Sequence, residues 1–501
     1  MRVGTVFQIL GWLLLFLSLS LILPIPFSLF YKDGLMMYFI MSSALTALAG
    51  GFLVLVFVPD GELGYKDGFA VVSLGWLAAA LFSALPFYLS GAISSFLDCY
   101  FEAMSGFTTT GSTILARVEP LGPSLLLWRA MTQWLGGMGI IVLSLAILPI
   151  LGVGGMQLFR AEVPGPTKDR LAPRIQDTAR ILWGVYTLLT GIETVLLMWG
   201  GLSFYDALCH SFTTMATGGF STYTASVGYF NSPWVEGVIT FFMLMAGINF
   251  ALHYQGLKGR LSAYWKSEEF RFYIGVTIIA TILVTIFNIG YGLFGSLGTS
   301  FRYSIFQVSS ILTTTGYGTA DFDKWPYICQ LLLVVLMFFG GCAGSTGGGI
   351  KHVRILLLWR YLRIQMVQLV HPRAVKVVKL GGQKVPAEVM QAILGFFFLY
   401  LVVFIVASLL VSSQGLDIVT SISAVAATLN NIGPGLGLVG PVQHFGHLPA
   451  LSKFILIICM LAGRLELYTV AVLLTPAYWK TTRKPVFRWQ RDRSQGDGKS
   501  R

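Results

Sequence analysis

Long apolar stretches, separated by short polar segments, run through almost the whole chain. Most are long enough to cross a bilayer as a helix, for which about 20 residues are needed. Shorter apolar segments that end in Thr and Gly stand between several of them, and these predict half-helices that enter the membrane and return. The predicted spans are residues 6–30, 35–58, 68–90, 124–151, 179–201, 233–254, 272–289, 325–340, 388–411 and 451–479.

The short segment at residues 300–319 has the clearest composition. It opens with Ser-Phe and ends in the letters TTTGYGT. Glycine adopts backbone angles that can turn successive carbonyls toward one axis, and a ring of such carbonyls can replace the hydration shell of an alkali cation. The segment therefore predicts one quarter of a potassium-coordinating filter.

Three further segments resemble it. Ser-Phe stands sixteen residues before Gly111, Gly219 and Gly316, and Asp417 has the same offset from Gly433 in the fourth segment, which reads NNIGPG. Copies about 100 residues apart predict a repeat array with its site between the copies. In the second copy, the offset selects Gly219, whereas Thr217-Gly218 resembles the other copies better. The predicted ligands are the main-chain carbonyls of Thr110, Gly111, Gly218, Gly219, Thr315, Gly316, Ile432 and Gly433.

The fold class that follows is an all-α polytopic membrane protein with a leading two-helix hairpin. Four pseudo-fourfold helix–pore-loop–helix repeats then surround a central ion path. The predicted units are the hairpin 1–66, the repeats 67–175, 176–269, 270–384 and 385–480, and a basic tail 481–501. Asp98 and Asp206 occupy the first turns of half-helices, where a carboxylate complements the helix dipole.

Residues 338–351, which read FFGGCAGSTGGGIK, interrupt the second long helix of repeat three. Each glycine costs a helix about 1 kcal/mol relative to alanine, so we expect an unwound intramembrane loop below the filter that acts as a gate. Close helix packing through small residues is an alternative. A phosphate loop is a weaker one, because Ile350 separates Gly349 from Lys351. The predicted gate residues of the loop are Gly344, Ser345, Thr346, Gly347, Gly348 and Gly349.

Arg464 lies in the middle of the last predicted span. A charge at that depth is expensive and usually faces a cavity or a partner. Glu466 is only two residues away and points to another side of the helix, so it is a poor partner. We expect Arg464 to project into the ion path below the filter, as an electrostatic barrier that contacts the glycine-rich loop. The alternative is a structural ion pair with a neighbouring helix.

Composition agrees with a membrane location. Of 501 residues, 55% are hydrophobic and 11% charged, with a mean hydropathy of +0.74. The formal charge of +12 comes from Lys and Arg in the loops that join the repeats, so it does not indicate nucleic-acid binding. The positive-inside rule predicts that these loops and both termini are cytoplasmic. We expect no enzyme, because no nucleophile motif or carboxylate pair stands out; a polytopic enzyme for lipid substrates and a membrane scaffold are the alternatives.

The motifs together resemble the Trk/Ktr/HKT superfamily of potassium transporters, and the TrkH/TrkG branch most of all. The likeness covers essentially the whole chain, and the leading hairpin also suits this branch. It is carried by residues 101–111, 216–222, 314–319, 344–351, 430–435 and 463–464.

The resemblance implies potassium uptake across the bacterial inner membrane, with K⁺ as the transported ion and no organic cofactor. Flow would follow the electrochemical gradient or be coupled to another ion as symport. The loop of repeat three and the arginine of repeat four would form the gate. The implied partners are a second copy in a homodimer, membrane lipids and a cytosolic TrkA-like ring that binds nucleotide, with no nucleic acid. A sodium-dependent Ktr-like subunit is the alternative within transport.

Overall fold

The structure is a computed structural model that describes residues 2–60, 64–146 and 175–480. The predicted end of a span at residue 151 lies outside these ranges. So do the basic residues predicted between repeats one and two, and the predicted tail 481–501.

The leading unit consists of α1 (Val3–Ser20), α2 (Ile25–Tyr31) and α3 (Met36–Val56). Helices α1 and α3 approach most closely at Gly11 and Gly50. A Cβ on either glycine would lie 2.8 Å from the carbonyl oxygen of the other, so a side chain at this crossing would force the helices apart. Small residues at a crossing are how membrane helices reach close packing.

Four helical units follow, and each contains a helix of 12 or 16 residues that leads into one of the four predicted loops. The remaining helices are α4 (Tyr65–Ser83), α5 (Leu85–Leu89), α6 (Phe96–Phe107), α7 (Pro123–Ala146), α8 (Ile175–Trp199), α9 (Phe204–Met215), α10 (Pro233–Ala246), α11 (Phe250–Leu257), α12 (Ser262–Lys266), α13 (Glu268–Gly290), α14 (Leu297–Leu312), α15 (Tyr327–Met337), α16 (His352–Val370), α17 (Ala387–Ser412), α18 (Ile418–Leu429), α19 (Ala450–Arg464), α20 (Tyr468–Leu473) and α21 (Pro476–Trp479). We call the helices that precede the four predicted loops the pore helices; they are α6, α9, α14 and α18. We call the helices that follow those loops the exit helices; they are α7, α10, α15 and α19.

Among the described residues, strand structure is confined to a two-stranded antiparallel hairpin, β1 (Lys379–Leu380) and β2 (Gln383–Lys384). Six helices in the described ranges are long and apolar enough to cross a membrane, or seven if one bent pair counts as a single span. The predicted all-α membrane fold is confirmed.

Two of the pore helices, α9 and α18, are capped by the residue sixteen positions before the loop glycine. Asp417 accepts the Thr420 N–H at 3.0 Å, and Ser203 accepts the Asp206 N–H at 3.0 Å. The Asp98 carboxylate, in the first turn of α6, pairs with the Lys453 ammonium of α19 at 2.7 Å. Caps of this kind satisfy backbone N–H groups that have no partner within the helix.

The expectation of one continuous span over residues 233–254 is wrong. Helices α10 and α11 are bent by 105° at the break between Ala246 and Phe250. The Asn249 side chain caps α11 by accepting the Ala251 N–H at 2.9 Å. The Gly247 carbonyl, which no longer serves a helix, accepts the Cys342 N–H at 2.8 Å. The bend therefore provides backbone partners for the glycine-rich loop.

The span predicted over residues 451–479 is also interrupted. Helix α19 ends at Arg464, and Glu466 and Leu467 then adopt φ angles of +58° and +43°. Left-handed backbone at a non-glycine residue is uncommon and marks a local constraint. The Glu466 side chain pairs with Arg354 of α16, and this contact holds the turn.

Candidate ion pathway

The four loops after the pore helices share one backbone conformation. We call residues 109–111, 217–219, 314–316 and 431–433 the pore loops. In each, the first residue has a positive φ although it is not glycine, and the third is a glycine with positive φ. The first residues are Thr109, Thr217, Thr314 and Asn431, with φ of +51°, +54°, +62° and +55°, and the glycines are Gly111, Gly219, Gly316 and Gly433. Positive φ is rare for a β-branched residue, so its recurrence at one register shows a genuine structural repeat.

The middle residue of each pore loop makes the same backbone hydrogen bond. Its N–H donates to the carbonyl five residues earlier, inside the pore helix, at 2.8 Å in every copy. The pairs are Thr110 to Ser105, Gly218 to Thr213, Thr315 to Ser310 and Ile432 to Ala427. The pore helix therefore sets the conformation of the loop that follows it.

The pore loops close into a ring. A Cβ added to Gly111 would overlap the carbonyl oxygen of Gly218. In the same way, Gly219 faces the Thr315 oxygen and Gly316 faces the Ile432 oxygen. The ring closes at Gly433, whose Cβ would lie 3.0 Å from the Thr110 oxygen. Only glycine allows this approach in three of the four places, and the cyclic order follows the order of the repeats.

The backbone geometry distinguishes the two consecutive glycines of repeat two, Gly218 and Gly219. Gly219 has the positive φ and the neighbour that Gly111, Gly316 and Gly433 have, whereas Gly218 corresponds to Thr110, Thr315 and Ile432. The offset from Ser203 and the backbone conformation thus point to the same glycine, Gly219.

Repeat four, which lacks the Thr-rich run, holds its loop with an amide. The Asn431 Nδ2 donates to the Thr110 hydroxyl of repeat one and to the Met460 carbonyl, both at 2.9 Å. In repeats one and three, a pair of Thr hydroxyls two residues apart lies at 2.8 Å, namely Thr108 with Thr110 and Thr313 with Thr315. Different side chains thus support one backbone shape.

A cavity opens on one side of the ring, and all four ring glycines line it. The loops around this mouth are tied together by Glu119 of repeat one, which accepts the N–H and the hydroxyl of Thr224 of repeat two at 2.8 and 2.5 Å. Partial burial alone would raise the pKa of Glu119, but these hydrogen bonds lower it to about 2. The carboxylate therefore stays ionised at neutral pH.

Residues 340–351 of the interrupted stretch 338–351 form the glycine-rich loop. This loop lies on the side of the ring opposite the cavity, against the ends of the pore helices. The Gly348 N–H donates to the Thr314 hydroxyl at 2.6 Å. The Thr346 hydroxyl donates to the Met215 carbonyl, at the end of α9, at 3.0 Å. A Cβ on Gly348 would overlap the Asn430 carbonyl of repeat four. The loop therefore touches repeats two, three and four directly below the ring.

Arg464 completes this arrangement from repeat four. Its Nη1 donates to the Thr346 carbonyl at 2.7 Å, and its Nη2 donates to the Gly136 carbonyl of α7 at 3.3 Å. The side chain is only 2% exposed, and no carboxylate among the described residues pairs with it. The alternative of a structural ion pair is therefore not supported in the described ranges. A buried charge held by carbonyls alone leaves a positive field below the ring.

Two acidic residues near the loop were not predicted. Glu269, in the first turn of α13, accepts the N–H of Ala343 at 2.7 Å and of Val353 at 3.2 Å, so one carboxylate joins the glycine-rich loop to the start of α16. Glu466 pairs with Arg354 at the start of α16. A carboxylate at the end of a membrane helix was the available signal for Glu269. For Glu466, its distance from Arg464 in the sequence gives no signal of a contact with α16.

Glu102 of α6 forms a buried ion pair with Arg129 of α7. Its carboxylate accepts from Arg129 Nε at 2.6 Å and from the Ile114 N–H at 3.0 Å, and both charged side chains are buried. The Arg129 guanidinium in turn lies 3.5 Å from the centroid of the Phe220 ring. This pair supports the loops around the mouth, including the residues that directly follow Gly219.

Known proteins with the same architecture match nearly the entire chain. A family model for TrkH, described as a cation transport protein, matches residues 36–481. The Trk system potassium uptake protein TrkH of Salmonella typhimurium is 43% identical over 96% of this chain and all of its own. TrkG of Escherichia coli K12, also named a Trk system potassium uptake protein, is 37% identical over 96% of this chain and 99% of its own. The crystal structure of the potassium transporter TrkH from Vibrio parahaemolyticus superposes with a TM-score of 0.89 at 38% identity, covering 96% of this chain and 100% of that one.

Proposed function

Because the chain belongs to the TrkH family of cation transport proteins, we propose that it takes up potassium through the ring of pore loops and is gated by the glycine-rich loop and Arg464. It is a transporter of the Trk type rather than an enzyme, as the names of its relatives state of them. K⁺ is accordingly the transported ion, and the apolar helices place the chain in a membrane.

The filter proposal rests on the closed ring. Carbonyl oxygens of Thr110, Gly218, Thr315 and Ile432 lie next to the ring glycine of the neighbouring repeat, so four repeats offer equivalent oxygens around one centre. With the carbonyls of the four ring glycines, they make up the proposed ligand set. Backbone carbonyls in such a ring can exchange for the hydration shell of K⁺. Irregular backbone is tolerated at membrane depth where it lines a wet cavity.

The gate proposal rests on position. The glycine-rich loop lies on the side of the ring opposite the mouth, and Arg464 joins it to α7 of repeat one. An ion that leaves the ring must therefore pass both a segment of backbone and an unpaired cation. Displacement of the loop, with Arg464 following Thr346, would remove both obstacles together.

The proposed assembly is a homodimer in the inner membrane, in contact with lipids and with a cytosolic ring that binds nucleotide. The basic residues Arg360 and Arg363 of α16, with Lys376 and Lys379 beyond it, are partly exposed and follow directly from the glycine-rich loop. A regulator that binds this surface would be mechanically linked to the gate. The proposed orientation, with both termini cytoplasmic, puts this surface on the regulator's side.

The observation that carries the proposal is the cyclic contact of ring glycines with neighbouring carbonyls, and substitution of one glycine tests it. Gly316→Ser would collide with the Ile432 carbonyl, so we expect loss of potassium selectivity in reconstituted vesicles. Gly318→Ala is the matched control, because a Cβ there meets no atom within 4 Å. Equal K⁺ over Na⁺ flux ratios in the two variants would refute the filter. Flux with and without Na⁺ on the same vesicles separates sodium-coupled uptake from uncoupled uptake.

A further inference from the structure

Gln133 holds the pore loop of repeat two from outside the repeat. It lies on α7, the exit helix of repeat one, and is fully buried. Its Nε2 donates to the Gly218 carbonyl at 2.7 Å, and its Oε1 accepts the Phe220 N–H at 3.1 Å. The two bonds bracket Gly219, and together they fix the orientation of the amide, because only Oε1 can accept from a backbone N–H.

The same register in the other exit helices is apolar. Ten residues after the first residue of each exit helix stand Gln133, Met243, Met337 and Met460, and all four are fully buried. Repeat one therefore places the single polar side chain of this set beside the pore loop of repeat two. A buried amide is unfavourable unless it is hydrogen-bonded, so its presence there indicates a specific task.

The role of the Gln133 amide follows from a residue type that the pore loop of repeat two lacks. The residue between the positive-φ position and the ring glycine is Thr110, Thr315 or Ile432 in the other repeats, and each is β-branched and stiff. Repeat two has Gly218, followed by Gly219, and two consecutive glycines leave a backbone with the greatest conformational freedom. A Cβ on Gly218 would lie within 2.7 Å of the Gln133 Nε2. The amide thus fills the space that a side chain at residue 218 would need.

The Gly218 carbonyl also differs from its three counterparts. The corresponding carbonyls in the other pore loops are those of Thr110, Thr315 and Ile432. Among these four carbonyls, only that of Gly218 accepts a hydrogen bond from a side chain of the described residues. Arg129, one turn before Gln133 on α7, donates to the Ser221 carbonyl at 3.1 Å. The same face of α7 therefore holds the main chain from Gly218 to Ser221.

We propose that Gln133 is a positioning residue of the filter, which keeps the Gly218 carbonyl in the ring and thereby sets the discrimination of potassium from sodium. The proposal rests on the proposed function, since it assigns a role within that filter. A ring with one mobile carbonyl can contract around a smaller cation, whereas a ring of four fixed carbonyls favours the larger one.

The test is Gln133→Met, which gives repeat one the residue of the other exit helices at similar volume. We expect a K⁺ over Na⁺ flux ratio about tenfold lower in reconstituted vesicles, since two buried hydrogen bonds are lost. Gln330→Met is the matched control, because Gln330 of α15 donates to the carbonyls of Asp323 and Trp325, outside the ring, at 2.7 and 2.9 Å. An unchanged ratio in Gln133→Met, with thermal unfolding like that of the parent protein, would overturn the proposal.

A second pair of variants covers the case in which Gln133→Met fails to insert. Gly218→Ala brings a methyl group against the amide, so we expect a lower flux ratio. Gly218→Ala with Gln133→Ser makes room for the methyl group but removes both hydrogen bonds of the amide, so we expect its ratio to stay low. A double variant with the ratio of the parent protein would count against the proposal. Gly316→Ser distinguishes failure of the proposed filter from failure of the proposed role of Gln133. If Gly316→Ser leaves the flux ratio unchanged, the filter proposal is wrong. If Gly316→Ser lowers the ratio and Gln133→Met does not, only the role of Gln133 is wrong.

Discussion

The Arg464 guanidinium donates to the Thr346 carbonyl across 2.7 Å, and this bond joins the end of α19 in repeat four to the glycine-rich loop of repeat three. The guanidinium has no ion-pair partner among the described residues, and its Nε has no hydrogen-bond partner there. In the proposed pathway, its positive charge would lie below the ring and repel a cation that leaves it.

Replacement of Arg464 by Gln should raise basal potassium flux about tenfold or more, because one unit of repulsion is removed and a bond to the loop is weakened. The measurement is ⁸⁶Rb⁺ uptake into vesicles without the regulatory partner. Arg363→Gln, on the exposed face of α16, is the control and should leave basal flux unchanged. Parent-like flux in the Arg464 variant would remove this residue from the ion path.

The repeat pattern and the pore loops could be predicted from the sequence because the signals are local. Hydrophobic length identifies spans, and Thr and Gly at fixed offsets identify loops. A constant distance from Ser95, Ser203, Ser300 and Asp417 points to Gly111, Gly219, Gly316 and Gly433, although composition alone left Gly218 and Gly219 open. The Asn431 amide, which replaces a hydroxyl pair, has no such local signal.

The helix breaks could not be predicted, because the contacts that stabilise them join residues that are distant in the sequence. The segment around Gly247 is apolar, and one glycine is tolerated inside a helix. What stabilises the break is the Cys342 N–H, about 95 residues away in the sequence, and no local pattern contains that bond. The turn after Arg464 likewise depends on the pairing of Glu466 with Arg354.

Glu269 should control how tightly the glycine-rich loop is held. Glu269→Gln retains the shape of the side chain but replaces charge-assisted bonds to the N–H groups of Ala343 and Val353 by weaker ones. We expect basal flux to rise several-fold, since such bonds contribute about 1.5–3 kcal/mol each when charged. The adjacent Glu268, which pairs with Arg360 at 2.6 Å and is more exposed, supplies the control variant Glu268→Gln. Equal flux in both variants would show that the loop is held by other contacts.

The Arg354–Glu466 pair should stabilise the turn after Arg464. Glu466→Gln leaves the Arg354 charge largely buried without its partner, which typically costs about 3 kcal/mol. We expect a lower unfolding temperature and a higher basal flux, because the positive-φ turn that aims Arg464 is released. The exchange Arg354→Glu with Glu466→Arg should recover part of the stability; no recovery would mean that the two side chains act separately.

The buried Glu102–Arg129 pair offers a way to separate stability from ion selection. Glu102→Gln strands the Arg129 charge in the interior and should lower the free energy of unfolding by about 3–5 kcal/mol. Replacement of both residues by Met removes both charges, so most of that loss should be recovered, as for other buried pairs. The double variant still lacks the Arg129 bond to the Ser221 carbonyl and the contact with Phe220. We therefore expect its stability to recover while its K⁺ over Na⁺ flux ratio stays low. Recovery of both, measured by thermal unfolding and vesicle flux, would show that the contacts of Arg129 with Ser221 and Phe220 stabilise the fold without affecting selectivity.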